Sequence, residues 1–182
     1  MRYHADGTEC GLDLSSINMP IDKKEVIRIL TKKGFVIATG EIDILRTART
    51  CIGNSKYKRG ARVSEAPELV DCSSFTKWLY GYLGIELPRL SIQQREAGIV
   101  VAEDKVRRLD LIFSSGKNPF FDHDLGDDVG HVGIITDRGT VIHAANQRVG
   151  VIEIPTSLFA KKNKLRGIRR FIPDLNRFIT VR

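Results

Sequence analysis

The sequence predicts an α+β domain in which N-terminal helices pack on an antiparallel β-sheet. Apolar residues recur at helical spacing as far as residue 98, and five short segments rich in Val, Ile and Phe follow. Too little chain separates these segments for crossover helices, so we expect the strands to pair antiparallel. A length of 182 residues, 42% of them hydrophobic, is typical of one globular domain with its own core.

The first elements are predicted from apolar spacing and capping residues. An irregular arm is expected over residues 1–20, and a helix follows in PIDKKEVIRILTKKG, where Asp22 and Glu25 form a capping box and Gly34 ends the helix. FVIAT is typical of a short strand. Helical spacing then returns in EIDILRTARTCIG, which places Cys51 in the core.

A basic loop, GNSKYKRGARVSEAPE, leads to a helix that is predicted to begin at Cys72. Its apolar face runs to Leu83 and Gly84 ends it, while SIQQREA forms a second short helix ended by Gly98. The predicted strands are LDLIF, HVGIIT, TVIHAA, GVIEI and GIRRFI. A tight turn at residues 137–139 joins the second of these strands to the third.

Composition narrows the classes of function. The net charge of +7 favours anionic partners, such as nucleic acid or bacterial cell wall. No apolar run approaches the roughly 20 residues of a membrane helix, so no membrane partner is expected.

Three irregularly spaced cysteines, Cys10, Cys51 and Cys72, indicate neither a disulfide framework nor a zinc site. The N-terminus lacks the pattern of a secretory signal, so we expect a cytoplasmic protein, a trimmed one or one exported by a non-classical route.

Cys72 and two histidines form a candidate catalytic group. A cysteine at the first turn of a helix faces backbone N–H groups and the helix dipole, both of which favour the thiolate. Hairpin pairing about the turn places His131 opposite Ala145 and His143 opposite Gly133, so the imidazoles are diagonal neighbours about 7 Å apart. The alternative is a buried structural thiol with two histidines at a sheet edge. Spacing alone does not decide between these interpretations.

Four segments follow one another along the chain: DCSSFTKWLY, GIELPRLSIQQREAG, LDLIF and GHVGIITDRGTVIHAAN. In this order they resemble the NlpC-type family of cell-wall cysteine peptidases, which have a compact papain-like fold. A cysteine after Asp, a Leu-Pro-Arg segment ending in Gln and Gly, and two histidines twelve residues apart rarely coincide. With this resemblance we divide the chain into an N-terminal arm and helix, residues 1–44, and a papain-like cysteine peptidase domain, residues 45–182.

The resemblance implies a role for each matching residue. Cys72 is the nucleophile, His131 the general base and His143 the polar residue that orients the base. The backbone N–H of Cys72 and the side chain of Tyr57 form the oxyanion hole. Asp71 and Ser73 line a pocket for the free amino group of an L-alanine, where a carboxylate suits an ammonium group; the alternative for Asp71 is a helix cap alone.

The chain departs from the family pattern at three positions near these residues. Ser74 and Leu109 stand where the family usually has glycine, and Gly130 stands where it has serine before the histidine. None of these departures removes a reacting group. An insertion, SSGKNPFFDHDLGDDVG, precedes His131 and is expected to form a wall or lid through Phe120 and Phe121; its acids lack the spacing of an EF-hand loop and indicate a solvated turn.

The resemblance implies a cysteine peptidase that hydrolyses an amide bond in peptidoglycan stem peptides or muropeptides, at the γ-D-glutamyl-diamino acid bond. No metal or organic cofactor is expected. One alternative is an amidase or acyltransferase with the same Cys–His machinery, and another is a non-catalytic module that binds cell wall. The basic segment KKNKLRGIRR raises nucleic acid as a partner, but no stacking platform or recognition helix accompanies it, so no nucleic acid is expected. The sequence makes no prediction of the oligomeric state.

Overall fold

The computed structural model describes residues 10–13, 25, 28–29, 32–33, 37–38, 43–116, 128–161, 163–172 and 178–181. Within these ranges none of the helices is long and apolar enough to cross a membrane. The α-helices are α1 (Ile44–Thr50), α2 (Cys72–Gly81), α3 (Ser91–Ala97) and α4 (Thr156–Phe159), and single 3₁₀ turns cover Val63–Glu65 and Glu103–Lys105. The strands are β1 (Cys10–Asp13), β2 (Ile37–Ala38), β3 (Lys56–Tyr57), β4 (Leu69–Val70), β5 (Ile99–Val100), β6 (Leu111–Ser115), β7 (Val129–Ile135), β8 (Thr140–Asn146), β9 (Gly150–Pro155), β10 (Leu165–Arg170) and β11 (Phe178–Val181).

Six strands form the main sheet in the order β5-β10-β6-β7-β8-β9, and every neighbouring pair is antiparallel. The predicted mixture of helices and an antiparallel sheet is therefore confirmed. The hairpin of β7 and β8 pairs Ile134 with Ile142 and Ile135 with Val141, which is the register predicted from the turn. Gly139 closes that turn with a positive φ of 69°, a conformation that glycine adopts without strain.

The two faces of the main sheet contact different apolar clusters. The main cluster joins α1 and α2 to one face through residues such as Phe75, Leu79 and Phe113. Cys51 is 2% exposed in this cluster, as predicted. A second, smaller cluster covers the other face and consists of Val101, Ile112, Ile135, Val141, Phe159 and Ile168. Alternate residues of β7 and β8 enter the two clusters, as the two-residue repeat of a strand requires.

A second sheet joins the two ends of the chain in the order β1-β11-β2. β1 pairs antiparallel with β11, from Cys10 opposite Val181 to Asp13 opposite Phe178. The prediction of an irregular arm is therefore wrong for residues 10–13. Four residues with Gly and Asp among them carry too little alternation to indicate a strand, and the pairing partner is at the far end of the sequence.

The predicted first helix is seen at Glu25, Arg28, Ile29 and Lys32, which are helical. Its predicted ends at Asp22 and Gly34 lie outside the described residues. The predicted strand in FVIAT is confirmed over β2. The boundary between residues 44 and 45 stays a prediction.

Candidate active site

Cys72 begins α2 because the residues around it cap the helix. Asp71 is the N-cap residue, and its Oδ1 accepts a hydrogen bond from the Ser74 N–H at 2.8 Å. In return the Asp71 N–H donates to Ser74 Oγ at 2.8 Å. This reciprocal pair satisfies two backbone donors at the helix start and holds the cysteine at its first position.

The thiol of Cys72 is largely buried, with 7% of the residue exposed. Its Sγ accepts hydrogen bonds from the backbone N–H of Val132 on β7 and from that of Ser73. Burial, together with a smaller contribution from the charge of Asp71, raises the pKa of the thiol to about 11, because the opposing effects of the two N–H groups and Arg89 are smaller. The N–H groups at the helix start favour the thiolate, but loss of water around the sulfur outweighs them and the thiol is neutral at pH 7.

His131 and His143 contact each other directly. Nε2 of His131 lies 2.7 Å from Nδ1 of His143, and the two rings are nearly perpendicular with centroids 4.9 Å apart. This contact is the diagonal neighbour relation that the hairpin register predicts. Burial lowers the pKa of His131 to about 4, and burial together with the neighbouring His131 lowers the pKa of His143 to about 3. Both imidazoles are therefore neutral at pH 7.

Two adjacent residues of β7 contribute to the site. His131 carries the imidazole, and Val132 carries the backbone N–H that contacts the sulfur of Cys72. The strand is irregular at this point, since Ser114 pairs with His131 but Ser115 pairs with Val129. Gly130 is the extra residue of this β-bulge, and bulges re-aim the neighbouring side chain. Because Nε2 of His131 contacts His143, Nδ1 is the ring nitrogen of His131 that takes no part in this contact.

Tyr57 is brought close to Cys72 by a short parallel pairing within the predicted loop. It lies on β3 opposite Val70 of β4, two residues before the cysteine. The side chain is half-buried, and burial raises the pKa of its hydroxyl, with further contributions from Cys72 and Asp71. The hydroxyl thus lies within electrostatic reach of the thiol.

Asp71 and Ser73 form one polar network with Arg89, a residue to which sequence reasoning gave no role. The Asp71 carboxylate accepts hydrogen bonds from Arg89 at 3.1 and 2.5 Å and from the Gly60 N–H at 3.0 Å. Arg89 also donates to Ser73 Oγ at 2.9 Å. Asp71 is therefore a helix cap and the anionic partner of an arginine at once. The available signal was the Leu-Pro-Arg segment, because a carboxylate buried beside a thiol needs a cation.

Gln94 is a second residue that sequence reasoning missed. It is fully buried, and its Nε2 donates to the carbonyls of Ser73 and Pro88, each at 2.9 Å. Its Oε1 accepts from the hydroxyl of Thr76 at 2.9 Å. The side chain therefore fastens α3 and the segment that carries Arg89 to the start of α2.

The family model described as NlpC/P60 family matches residues 54–169, which include every site residue above. The chain belongs to the NlpC/P60 family. It is 37% identical over 117 residues to a probable endopeptidase of Corynebacterium glutamicum, covering 64% of this chain and 48% of that protein. It is 34% identical over 104 residues to a gamma-D-glutamyl-L-lysine dipeptidyl-peptidase of Bacillus cereus, covering 57% of this chain and 29% of that protein.

The fold is also similar to solved structures of the family. The crystal structure of an NlpC/P60 family protein from Bacillus cereus matches with a TM-score of 0.60 and 25% identity, covering 74% of this chain and 41% of that chain. The resemblance and the papain-like α+β fold predicted from sequence are both confirmed. The chain spans about half the length, or less, of the curated relatives above.

Two departures from the NlpC/P60 pattern have structural consequences. Leu109 has a positive φ of 69°, the left-handed region in which the family's usual glycine is unstrained. At Gly130 an added Cβ would lie 2.4 Å from Cα of Gly116, so the family's serine does not fit unless the backbone shifts. The chain therefore accommodates strain at the first position and a close backbone contact at the second.

The inserted segment before His131 is described only in part. Phe120 and Phe121, predicted to form a wall or lid, lie outside the described residues. Asp128, at the end of the insertion, forms an ion pair with Arg166 of β10, with one contact at 3.1 Å. This acid therefore ties the end of the insertion to the main sheet.

Proposed function

We propose that this NlpC/P60 chain is a cysteine peptidase that hydrolyses an amide bond in peptidoglycan stem peptides, between γ-D-glutamate and the diamino acid. The observation that carries the proposal is the arrangement at β7. The sulfur of Cys72 meets the amide next to His131, and His131 is bound to His143 at 2.7 Å. The similarity to the gamma-D-glutamyl-L-lysine dipeptidyl-peptidase of Bacillus cereus supports the choice of bond.

The raised thiol pKa and the lowered imidazole pKa mean that the reaction starts from two neutral groups. As Sγ of Cys72 attacks the carbonyl carbon, its proton passes to Nδ1 of His131. The imidazolium is stabilised by donating its Nε2–H to Nδ1 of His143. The tetrahedral oxyanion accepts hydrogen bonds from the Cys72 N–H and the Tyr57 hydroxyl.

Collapse of this intermediate breaks the C–N bond, and Nδ1–H of His131 gives its proton to the leaving amine. A thioester on Cys72 remains. His131 then takes a proton from water as the water oxygen attacks the thioester, and the second collapse releases the carboxylic acid and returns the proton to the thiol. No step consumes a further reactant besides water.

The network of Asp71, Ser73 and Arg89 supplies the substrate contact. We assign the free amino group of the stem peptide to Asp71 and Ser73, since an ammonium group donates to carboxylate and hydroxyl oxygens. Arg89 already pairs with that carboxylate, so most of the negative charge of Asp71 is compensated before the ammonium group binds. Charge attraction alone is therefore weak, and hydrogen-bond geometry selects a free N-terminus.

Digestion of defined stem peptides, with products identified by mass spectrometry, tests the proposal. Wild-type protein is expected to release L-alanyl-γ-D-glutamate, and Cys72→Ala to release none. Cys51→Ala is the matched control, because Cys51 is the other buried free cysteine in the described residues and lies in the core. Products from another bond would favour the amidase alternative, a transferred acyl group would favour the acyltransferase, and full activity of Cys72→Ala would refute cysteine catalysis.

A further inference from the structure

One aromatic ring contacts both histidines and has no role in the mechanism above. Phe159, the last residue of α4, is 6% exposed. Its ring stacks on His131 with centroids 5.3 Å apart and planes inclined by 25°. The same ring meets His143 nearly perpendicularly, with centroids 4.9 Å apart and planes at 83°.

The outer end of the imidazole pair lacks a polar anchor among the described residues. Nε2 of His143 is buried and has no hydrogen-bond partner there. In a Cys–His or Ser–His group the orienting residue is normally held by hydrogen bonds of its own. The χ2 torsion, which rotates an imidazole about its Cβ–Cγ bond, has a broad range of favourable angles, so one hydrogen bond does not fix the orientation of the ring. Packing must therefore supply the orientation that hydrogen bonds leave open.

Phe159 is itself attached to the hairpin that carries the histidines. α4 directly follows β9, and the hydroxyl of Thr156 donates to the carbonyl of Gly139 in the β7–β8 turn at 2.8 Å. The Thr156 N–H donates to the same carbonyl at 3.2 Å. The aromatic ring and the two imidazoles are thus parts of one locally braced unit.

We propose that Phe159 is a positioning residue, whose ring holds His131 and His143 perpendicular to each other and leaves Nδ1 of His131 directed to the thiol of Cys72. This inference rests on the proposed function. The ring also keeps water from the imidazoles. Burial is the main cause of both lowered imidazole pKa values, and within the described residues the only charged contribution to either is that of His131 on His143.

Three variants separate positioning from a general packing effect. Phe159→Leu removes the ring but keeps an apolar side chain, Phe159→Tyr keeps the ring, and Val101→Ala weakens the same second cluster at a residue of the segment after β5. We expect kcat on stem peptide to fall about 10- to 100-fold in Phe159→Leu with KM nearly unchanged, because misplaced catalytic groups lose rate. Phe159→Tyr is expected within threefold of wild type and Val101→Ala within twofold, with thermal unfolding confirming that each variant is folded.

Histidine NMR titration in the Cys72→Ala background gives a readout that needs no substrate. Introducing Phe159→Leu is expected to move the pKa values of His131 and His143 upward toward 6.5, while Val101→Ala leaves them in place. Equal kcat losses in Phe159→Leu and Val101→Ala, or unchanged imidazole pKa values in Phe159→Leu, would overturn the proposal. If no peptide is cleaved by wild type, the proposed function fails while the titration still decides the positioning role.

Discussion

The residues around Cys72 and those around His131 are held in place by different interactions. In the thiol half, formed by Cys72, Asp71, Ser73 and Arg89, one carboxylate accepts hydrogen bonds from two backbone N–H groups, a hydroxyl and a guanidinium. In the imidazole half, formed by His131, His143 and Phe159, one hydrogen bond and two aromatic contacts hold the side chains in place.

This difference follows from the charge that each half contains. A carboxylate removed from water is strongly destabilising unless it is paired, whereas two neutral imidazoles tolerate an apolar neighbour. The thiol half should therefore lose stability when the positive charge of Arg89 is removed, and the imidazole half should lose stability when an imidazole gains a positive charge. Four predictions test this contrast, beginning with the largest expected effect.

Removing the proposed base should affect activity far more than changing its proposed orienting partner. His131→Gln removes the proposed acceptor of the Cys72 proton, and kcat is expected to fall about 10³-fold or more. In His143→Asn an amide can still accept from Nε2–H of His131, so we expect a loss of about 10- to 100-fold. Initial rates on the stem peptide measure both. Equal losses would show that the two histidines do not divide the roles of base and orienter.

Acid should destabilise the protein through the imidazole half. The pKa of His131 is about 4 in the folded protein and near 6.5 when unfolded, so between these values the unfolded chain binds more protons. Stability is therefore complete above pH 6.5 and is lost as pH falls toward 4, by on the order of 3 kcal/mol for this residue. Urea unfolding at pH 7.5 and pH 4.5 measures the change.

The control for that experiment removes both imidazoles from the hairpin. In the double variant His131→Gln, His143→Gln the loss of stability between pH 6.5 and 4.5 is expected to shrink, since the burial of neutral imidazoles is its cause. If the free energy of unfolding of the double variant fell with pH as steeply as that of the wild type, the titrating groups would lie elsewhere in the chain.

Breaking the ion pair between Arg89 and Asp71 should destabilise the thiol half at neutral pH. Arg89→Met leaves the Asp71 carboxylate, whose side chain is only 9% exposed, without its cation. The expected cost is about 2 kcal/mol, less than for a fully buried pair because the arginine side chain is 33% exposed. Adding Asp71→Asn should recover part of this loss, and a double variant that is no more stable than Arg89→Met would contradict the assignment of the cost to an unpaired charge.

These two halves also differ in how far the sequence predicts them. The contact between His131 and His143 follows from local hairpin register, and the start of α2 at Cys72 follows from local capping, so both were predictable. Phe159 and Arg89 reach the site through tertiary packing, which hairpin register and helix capping do not predict. The effect of the helix start on the pKa of Cys72 was predictable, but the larger opposing effect was not, because it depends on how much water the whole fold removes from the sulfur.

The smallest predicted effect concerns Leu109, which lies in the segment that connects the two halves. Its carbonyl accepts a hydrogen bond from the Tyr80 hydroxyl of α2, and its N–H donates to the Ile135 carbonyl of β7 at 2.9 Å. The side chain is 7% exposed, so truncation loses apolar burial in any variant. Its positive φ of 69°, however, favours glycine over every residue with a Cβ.

Leu109→Gly should therefore be more stable than Leu109→Ala, by about 1 kcal/mol, which reverses the usual order of these two residues. Urea unfolding of both variants at pH 7.5 measures the difference. The matched control is Leu87, a fully buried leucine for which no positive φ is found, where the alanine variant should be the more stable of the two. If alanine were favoured at both positions, the left-handed backbone at Leu109 would not be a source of strain, and the family's glycine there would need another explanation.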